Sequence, residues 1–209
     1  MKLVTVVSDS HRRLWKRLSE SCIQEYSLRT IEIPQYGRGL YHKTGFRRSM
    51  LAKVVGIRAE LTEPLVYSDA DVVFLQPSVV QLLEELGDRD CAFQNDNGEC
   101  CAGFFVMHNT KESLTLLDNV ISDLCTNIND DQFGDQKFLN ERLKSSSVKY
   151  RLLSARFANP HTISGSHWTG RDLGIPRDTL MFHANWTEGI LNKELLLDMV
   201  IRNARRTIQ

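Results

Sequence analysis

A chain of 209 residues, 42% hydrophobic and 25% charged, is long enough for one substantial domain with a core of its own. Its 26 basic and 26 acidic side chains cancel to a formal net charge of zero, which argues against a nucleic-acid binder or a strongly cationic membrane protein. The N-terminal apolar run has only strand length and no stretch approaches a membrane span, so neither signal peptide nor transmembrane segment is expected. Five cysteines, an odd number without paired metal spacing and with Cys100 and Cys101 adjacent, fit a reduced, cytoplasmic compartment.

In chain order, Leu3 to Val7 reads as a buried parallel strand. It ends in Ser8-Asp9-Ser10, cap and turn residues ahead of a helical pattern through Leu14, Trp15, Leu18 and Cys22. A short strand from Arg29 to Ile33 stops at Pro34, and the aromatic, basic, glycine-punctuated Tyr36 to Lys43 reads as a loop, with a mobile loop beside a site one option. Phe46 to Leu61 has helical spacing, with Arg47, Arg48 and Lys53 elsewhere on the cylinder. It leads through Pro64 into a strand running from Leu65 to Phe74. A helix follows from Val79 to Leu86, then strands from Cys91 to Gln94 and from Gly103 to His108, joined by a polar turn through Asn95 to Glu99.

Asn109-Thr110-Lys111-Glu112 is a capping-box pattern opening a helix to about Cys125. Asp130 to Gln136 leads into another helix ending near Leu143, and Ser145 to Ser147 forms a short joint before a strand from Tyr150 to Leu153. Asn159 to Arg177 reads as irregular, Leu180 to His183 as a short strand, and Ile190 to Arg206 as an amphipathic helix with a basic tail. Alternating strands and helices without a linker predict a single α/β domain.

The stretch Leu65-Val66-Tyr67-Ser68-Asp69-Ala70-Asp71-Val72-Val73-Phe74 organises the rest. Read as one strand, its side-chain period of two puts Asp69 and Asp71 on one face. Two carboxylates in so apolar a setting need a cation or proton to neutralise them. A site for magnesium or manganese at the carboxyl edge of a parallel sheet is the favoured reading; an acidic turn facing solvent is the plain one. His183, after an apolar strand, is the candidate third ligand, against a purely structural role. Gly189, for close approach, and Lys193 could help to hold a metal and a diphosphate. Trp186, Tyr36 and Tyr41 could stack on a base or sugar or simply pack.

The ordered set Asp69-Ala70-Asp71, Asp135-Gln136 with Asn140, and His183, Gly189 and Lys193 resembles nucleotide-diphospho-sugar glycosyltransferases of the GT-A fold, glycogenin-like retaining branch. The resemblance implies one Rossmann-like, mixed and mainly parallel sheet flanked by helices, with a nucleotide-binding half to about residue 90 and a donor-sugar and acceptor half over residues 91–209. It also implies a manganese or magnesium ion on Asp69, Asp71 and His183 that holds the donor diphosphate, with Lys193 on phosphate. Asp135 and Gln136 would face the donor sugar as catalytic groups, and Cys101-Ala102-Gly103-Phe104-Phe105 is similar to the family's strand beside the sugar pocket. Ser8 and Lys53 join the donor-binding candidates, though Lys53 and Arg48 also suit a solvated helix face, and Asp135-Gln136 a solvated helix N-terminus. The spacing from His183 to Gly189 and Lys193 is longer than in glycogenin-like enzymes, a departure that bears on Lys193.

The expected partners are a nucleotide-diphospho-sugar donor and a glycan, protein or small-molecule acceptor, with no nucleic acid. Two alternatives stand beside this one. A haloacid-dehalogenase-type phosphatase also carries Asp-x-Asp at a strand end, usually on its first strand. A non-catalytic nucleotide-sugar or carbohydrate-binding protein could keep the same fold.

Overall fold

The architecture is taken from a computed structural model that describes residues 1–22, 24–37, 43–126 and 128–208, with backbone alone for 206–208. The central part of the expected loop, residues 38–42 with Tyr41, lies outside the described residues.

β1 (Lys2–Val7) ends in a 3₁₀ turn at Asp9–His11 and leads into α1 (Arg12–Cys22). β2 (Ser27–Glu32), α2 (Phe46–Glu60) and β3 (Leu65–Ser68) follow. β1 pairs in parallel with both β2 and β3. The chain then turns through residues 69–71 and leaves this sheet as β4 (Val72–Phe74). After α3 (Val79–Leu86), β5 (Cys91–Asp96) and β6 (Glu99–Met107) form a hairpin whose second strand lies antiparallel to β3. α4 (Lys111–Thr126), α5 (Asp135–Ser145) and β7 (Tyr150–Leu152) come next, and β7 completes the six-stranded order β2-β1-β3-β6-β5-β7. β8 (Phe157–Ala158), α6 (Pro160–Ser164), β9 (Met181–His183) and α7 (Ile190–Ile208) close the chain. β9 lies between β4 and β8 in a second, three-stranded sheet.

The period of two decides which core each strand side chain joins. Leu3, Val66, Ala92, Phe104 and Val106 point to the side covered by α1 and α3 through Leu18, Cys22, Leu82 and Leu86. Val4, Tyr67, Phe93, Phe105 and Met107 point the other way, against Val54 and Ile57 of α2, Leu117 of α4 and Leu139 of α5. Burial on both faces explains the continuous apolar runs of the inner strands, while the edge strand β2 alternates exposed and half-buried positions. A third cluster joins Leu14 of α1 to Leu196, Leu197 and Val200 of α7 across Val73 and Phe182 of the small sheet.

The expected single α/β domain is therefore present, and its two proposed halves share both sheets: β3 pairs with β6, and β4 with β9. Four local expectations are corrected. The strand from Leu65 to Phe74 is broken at the aspartates, because Asp69 N donates to Gly103 O at 2.7 Å in one sheet while Ala184 N donates to Asp71 O at 2.9 Å in the other. The cap of α4 is Thr110, whose Oγ1 accepts from Ser113 N at 3.2 Å; Asn109 instead donates to Thr62 O. The stretch expected to be irregular contains α6, opened by a capping box between Asn159 and Thr162. β6 begins at Glu99, earlier than its apolar run, because the hairpin turn is only Asn97-Gly98.

Candidate active site

The turn at residues 69–71 sends its two carboxylates to different neighbours. Asp69 stays with the large sheet: its Oδ1 accepts from the Tyr67 hydroxyl at 2.6 Å and lies 3.0 Å from Lys53 Nζ. Asp71 belongs to the start of the small sheet and is 5% exposed. Its Oδ1 lies 3.3 Å from His183 Nε2 and its Oδ2 2.6 Å from Lys193 Nζ. The aspartates do not line one face of one strand, yet one ligand atom from each of Asp69, Asp71 and His183 falls within 4.8 Å of the others.

His183 is 1% exposed. Its Nδ1 is 2.8 Å from Gln94 Oε1, which fixes the ring and turns Nε2 toward Asp71. Gln94 itself donates to the Phe157 and Ala158 carbonyls at 3.1 and 2.9 Å, so the group that orients the His183 ring is anchored in backbone. Burial opposes a charged imidazole here, but the Asp71 carboxylate outweighs it and raises His183 to about 10. Burial likewise opposes the Asp71 carboxylate, and Lys193 and His183 together hold it well below the usual carboxylate range.

A second ion-pair group adjoins the first. Lys53 is 4% exposed and bridges Asp69 Oδ1 at 3.0 Å to Asp135 Oδ2 at 2.9 Å, with its ammonium 4.9 Å from the Tyr67 ring centre. Burial opposes the Lys53 charge, but Asp135 and Asp69 more than compensate and its pKa rises. Asp135 moves upward too, because burial and the charge of Asp69 outweigh its share of the lysine. Neither residue occupies the solvated position that remained open from the sequence: Lys53 points into the molecule, and Asp135 opens α5 at 6% exposure. Three carboxylates thus face the ammonium groups of Lys53 and Lys193 and the imidazole of His183.

The position of Asp135 is set by two clamps between α5 and the β5–β6 hairpin. Asn140 accepts from Cys100 N at 2.9 Å and donates to Cys100 O at 2.8 Å. Gln136 accepts from Ala102 N at 3.3 Å and donates to Asp96 Oδ2 at 2.7 Å. Gly103, in the stretch expected beside the sugar pocket, has a steric role. A Cβ there would lie 2.5 Å from His183 Cε1 and 2.6 Å from Asp69 Oδ2, so only glycine lets both side chains approach β6.

The other expected residues fall at the periphery or change role. Ser8 follows β1 with its Oγ 3.3 Å from His11 Nδ1, and burial lowers the His11 pKa while the ring also feels the charges of Asp71 and Lys193. Gly189 makes no close approach among the described residues: none of their atoms counted lies within 4 Å of where its Cβ would be, and its φ of +80° is what requires glycine at the entry to α7. Lys193, one helical turn later, donates its backbone N–H to Gly189 O at 3.1 Å and reaches Asp71 despite the long spacing. Arg48 turns outward to Asn129 Oδ1 at 3.0 Å, and the backbone of Tyr36 packs against Gly45.

The sequence reading missed Asp96, which appeared as one acid in a polar turn. It accepts from Gln136, from Asn185 Nδ2 at 3.1 Å and from the Trp186 indole N–H. Gln94 was missed as well. The pairing of Cys91↔Met107 across the hairpin was visible only in three dimensions, so the registers that bring Gln94 and Asp96 to this end were not.

The sequence model of the nucleotide-diphospho-sugar transferase family matches residues 8–197. The chain belongs to that family. No curated protein matches the chain in a direct sequence comparison. Among solved structures, the glycosyltransferase GlyE of Streptococcus pneumoniae TIGR4 superposes with a TM-score of 0.60 at 16% identity, over 95% of this chain and 60% of that one. This transferase-family chain therefore spans less than two thirds of GlyE. The galactosyltransferase LgtC, solved with donor and acceptor sugar analogs, gives a TM-score of 0.59 at 15% identity and covers 95% of each chain. A glycosyltransferase involved in glycosylation of the major capsid of PBCV-1 gives 0.56 at 16% identity, over 94% of this chain and 98% of that one. At these identities the neighbours establish the GT-A fold, as expected from the sequence, and the family match displaces the phosphatase alternative. Among the described residues, no helix is long and apolar enough to cross a membrane.

Proposed function

We propose that the chain is a metal-dependent glycosyltransferase that moves a sugar from a nucleotide-diphospho-sugar donor to an acceptor hydroxyl with retention of configuration. The observation that carries this reading is the convergence of Asp69, Asp71 and His183 beside the Lys53–Asp135 pair in a transferase-family fold.

The donor set suits a divalent ion. Two carboxylates and an imidazole nitrogen match manganese, and magnesium less closely because of the nitrogen. The Asp69 side chain is 33% exposed, leaving an approach from solvent, and the Lys193 ammonium on Asp71 is a stand-in cation at the same carboxylate. A bound ion would supply Lewis-acid stabilisation of the negative charge that develops on the departing diphosphate.

The remaining work falls to this chain's residues. Lys193 shifts from Asp71 to a phosphate oxygen, and Ser8 and Gly189 border the nucleotide. Lys53 keeps Asp69 and Asp135 in register with each other. Asp135 faces the anomeric carbon and steadies its positive charge as the bond to the diphosphate breaks. Gln136, held by Asp96 and Ala102 N, forms the fixed edge of the sugar pocket. The departing phosphate oxygen takes the acceptor proton, so attack comes from the face the diphosphate leaves.

The test is donor consumption by the full chain across a panel of nucleotide sugars with and without manganese, followed by proton NMR of the first-formed linkage. Metal-dependent transfer with the donor's own anomeric configuration supports the reading. An inverted linkage overturns the retaining assignment, and no turnover of any donor overturns the activity.

A further inference from the structure

A second group of side chains adjoins the site without belonging to the charged cluster. The Trp186 ring lies 4.5 Å centre to centre from His161, tilted by 37°, and 4.7 Å from His167 at 65°, edge to face. Its indole N–H donates to Asp96 Oδ1, the carboxylate that also receives Gln136, one residue from Asp135. Asn185 donates to the same Oδ1 at 3.1 Å. The loop on the far side is tied down as well: Trp168 N donates to Trp186 O at 2.9 Å, and the Trp168 indole donates to Arg171 O at 2.7 Å. His161 is carried by α6, whose start is locked by the Asn159–Thr162 capping box. The indole is thus rigidly placed.

It is not a core residue. Trp186 and His161 are half-buried and His167 is exposed, whereas the aromatic side chains of the cores are almost fully enclosed. The half-buried indole and the two imidazoles packed against it together present an aromatic surface with nitrogen donors and acceptors. That combination matches a pyranose ring, whose C–H face packs on an aromatic ring while its hydroxyls hydrogen-bond at the edge. A nucleobase would also stack, but the connections separate the two roles. The phosphate candidate Lys193 and the metal-ligand candidate His183 are tied to Asp71, while Trp186 is tied through Asp96 to Gln136 on the Asp135 side.

We infer that Trp186, His161 and His167 form the acceptor subsite and take a pyranose ring of a glycan acceptor. The inference rests on the transferase reading and adds the acceptor's chemical class and location. The indole supplies the stacking surface, the two imidazoles bind hydroxyls, and Asp96 holds the indole in line with Gln136.

The experiment is isothermal titration of the full chain, saturated with manganese and a nucleoside diphosphate, with methyl glycosides of glucose, galactose, mannose and xylose. At least one glycoside binds the wild type. Trp186→Ala weakens that binding about tenfold and His167→Ala about threefold, while the nucleoside diphosphate Kd changes by less than about twofold. Trp186→Phe, which keeps a ring but not the N–H, retains most of the glycoside affinity. Because His167 is exposed, its variant reports on binding even if Trp186→Ala fails to fold. If Trp186→Ala instead weakens the nucleoside diphosphate and spares the glycosides, the aromatic wall holds the base and the inference is overturned. Binding of the nucleoside diphosphate with no binding of any glycoside also overturns it. Failure of the nucleoside diphosphate itself to bind overturns the transferase reading first, and this inference with it.

Discussion

Lys193 Nζ lies 2.6 Å from Asp71 Oδ2, so a lysine of α7 already neutralises a carboxylate expected to hold a metal ion. Any divalent ion has to compete with that ammonium. Removing it has opposite effects before and after the nucleotide binds, because Lys193 then has a phosphate oxygen to go to. Lys193→Ala is expected to tighten manganese binding in the absence of nucleotide by about tenfold, the worth of a charge-assisted contact. The same variant weakens manganese binding by a similar factor when a nucleoside diphosphate is present. Isothermal titration in both conditions checks this, and an unchanged affinity in both would place Lys193 outside the metal equilibrium.

The Lys53 bridge makes a stability prediction independent of any ligand. Lys53→Met leaves Asp69 and Asp135 facing each other without a cation, and Asp135 has almost no solvent. Urea unfolding should show a loss of about 3–5 kcal/mol, the range for breaking a buried ion pair from one side. Adding Asp135→Asn to Lys53→Met should recover part of it, since the second change removes the uncompensated charge. Strict additivity of the two single variants would contradict the coupling.

Gly103→Ala tests the close approach of β6 to the cluster. Its methyl group would sit 2.5 Å from His183 Cε1 and 2.6 Å from Asp69 Oδ2, so two of the three ligand side chains must move. A stability loss of about 1–3 kcal/mol is expected from the overpacking, with manganese-dependent nucleotide binding falling further than stability alone explains. Wild-type binding in this variant would show that the cluster tolerates displacement.

Much of this arrangement was legible in the sequence, and the reasons for the rest are physical. α3 was expected from Val79 to Leu86 and has those bounds, because proline before it and glycine after it punctuate a short apolar pattern. The sequence also singled out Asp69, Asp71, His183, Asp135 and Lys193, which the fold brings into one cluster. It did not show that the strand breaks at Asp69, because no glycine or proline marks the break and both flanks are equally apolar. The turn is imposed by hydrogen bonds to two different sheets, a long-range cause. The role of Asp96 was hidden for a similar reason: its three donors come from residues 40 to 90 positions away.

Asp71→Asn separates what the fold corrects from what the sequence implied. From the sequence alone the substitution removes only a metal ligand and leaves the fold intact. In the fold, Asp71 is enclosed between His183 and Lys193, so the amide leaves the Lys193 ammonium and the His183 ring without their carboxylate. A stability loss of about 1–3 kcal/mol is expected alongside the loss of transfer. Unfolding by urea at neutral pH measures it, and wild-type stability would mean that both partners relax to solvent without cost.

The central claim is that Asp69, Asp71 and His183 hold a divalent ion that in turn holds a nucleoside diphosphate. Thermal unfolding of the full chain tests it most directly, with manganese alone, with a panel of nucleoside diphosphates alone, and with both together. A ligand pair at about a hundred times its Kd adds about 2.7 kcal/mol to the native state, which for a chain of this length raises Tm by about 5–10 °C. That rise should require manganese and at least one nucleoside diphosphate together, and should vanish in an Asp69→Asn variant. Equal melting temperatures with and without the saturating pair, for every base in the panel, would contradict the account.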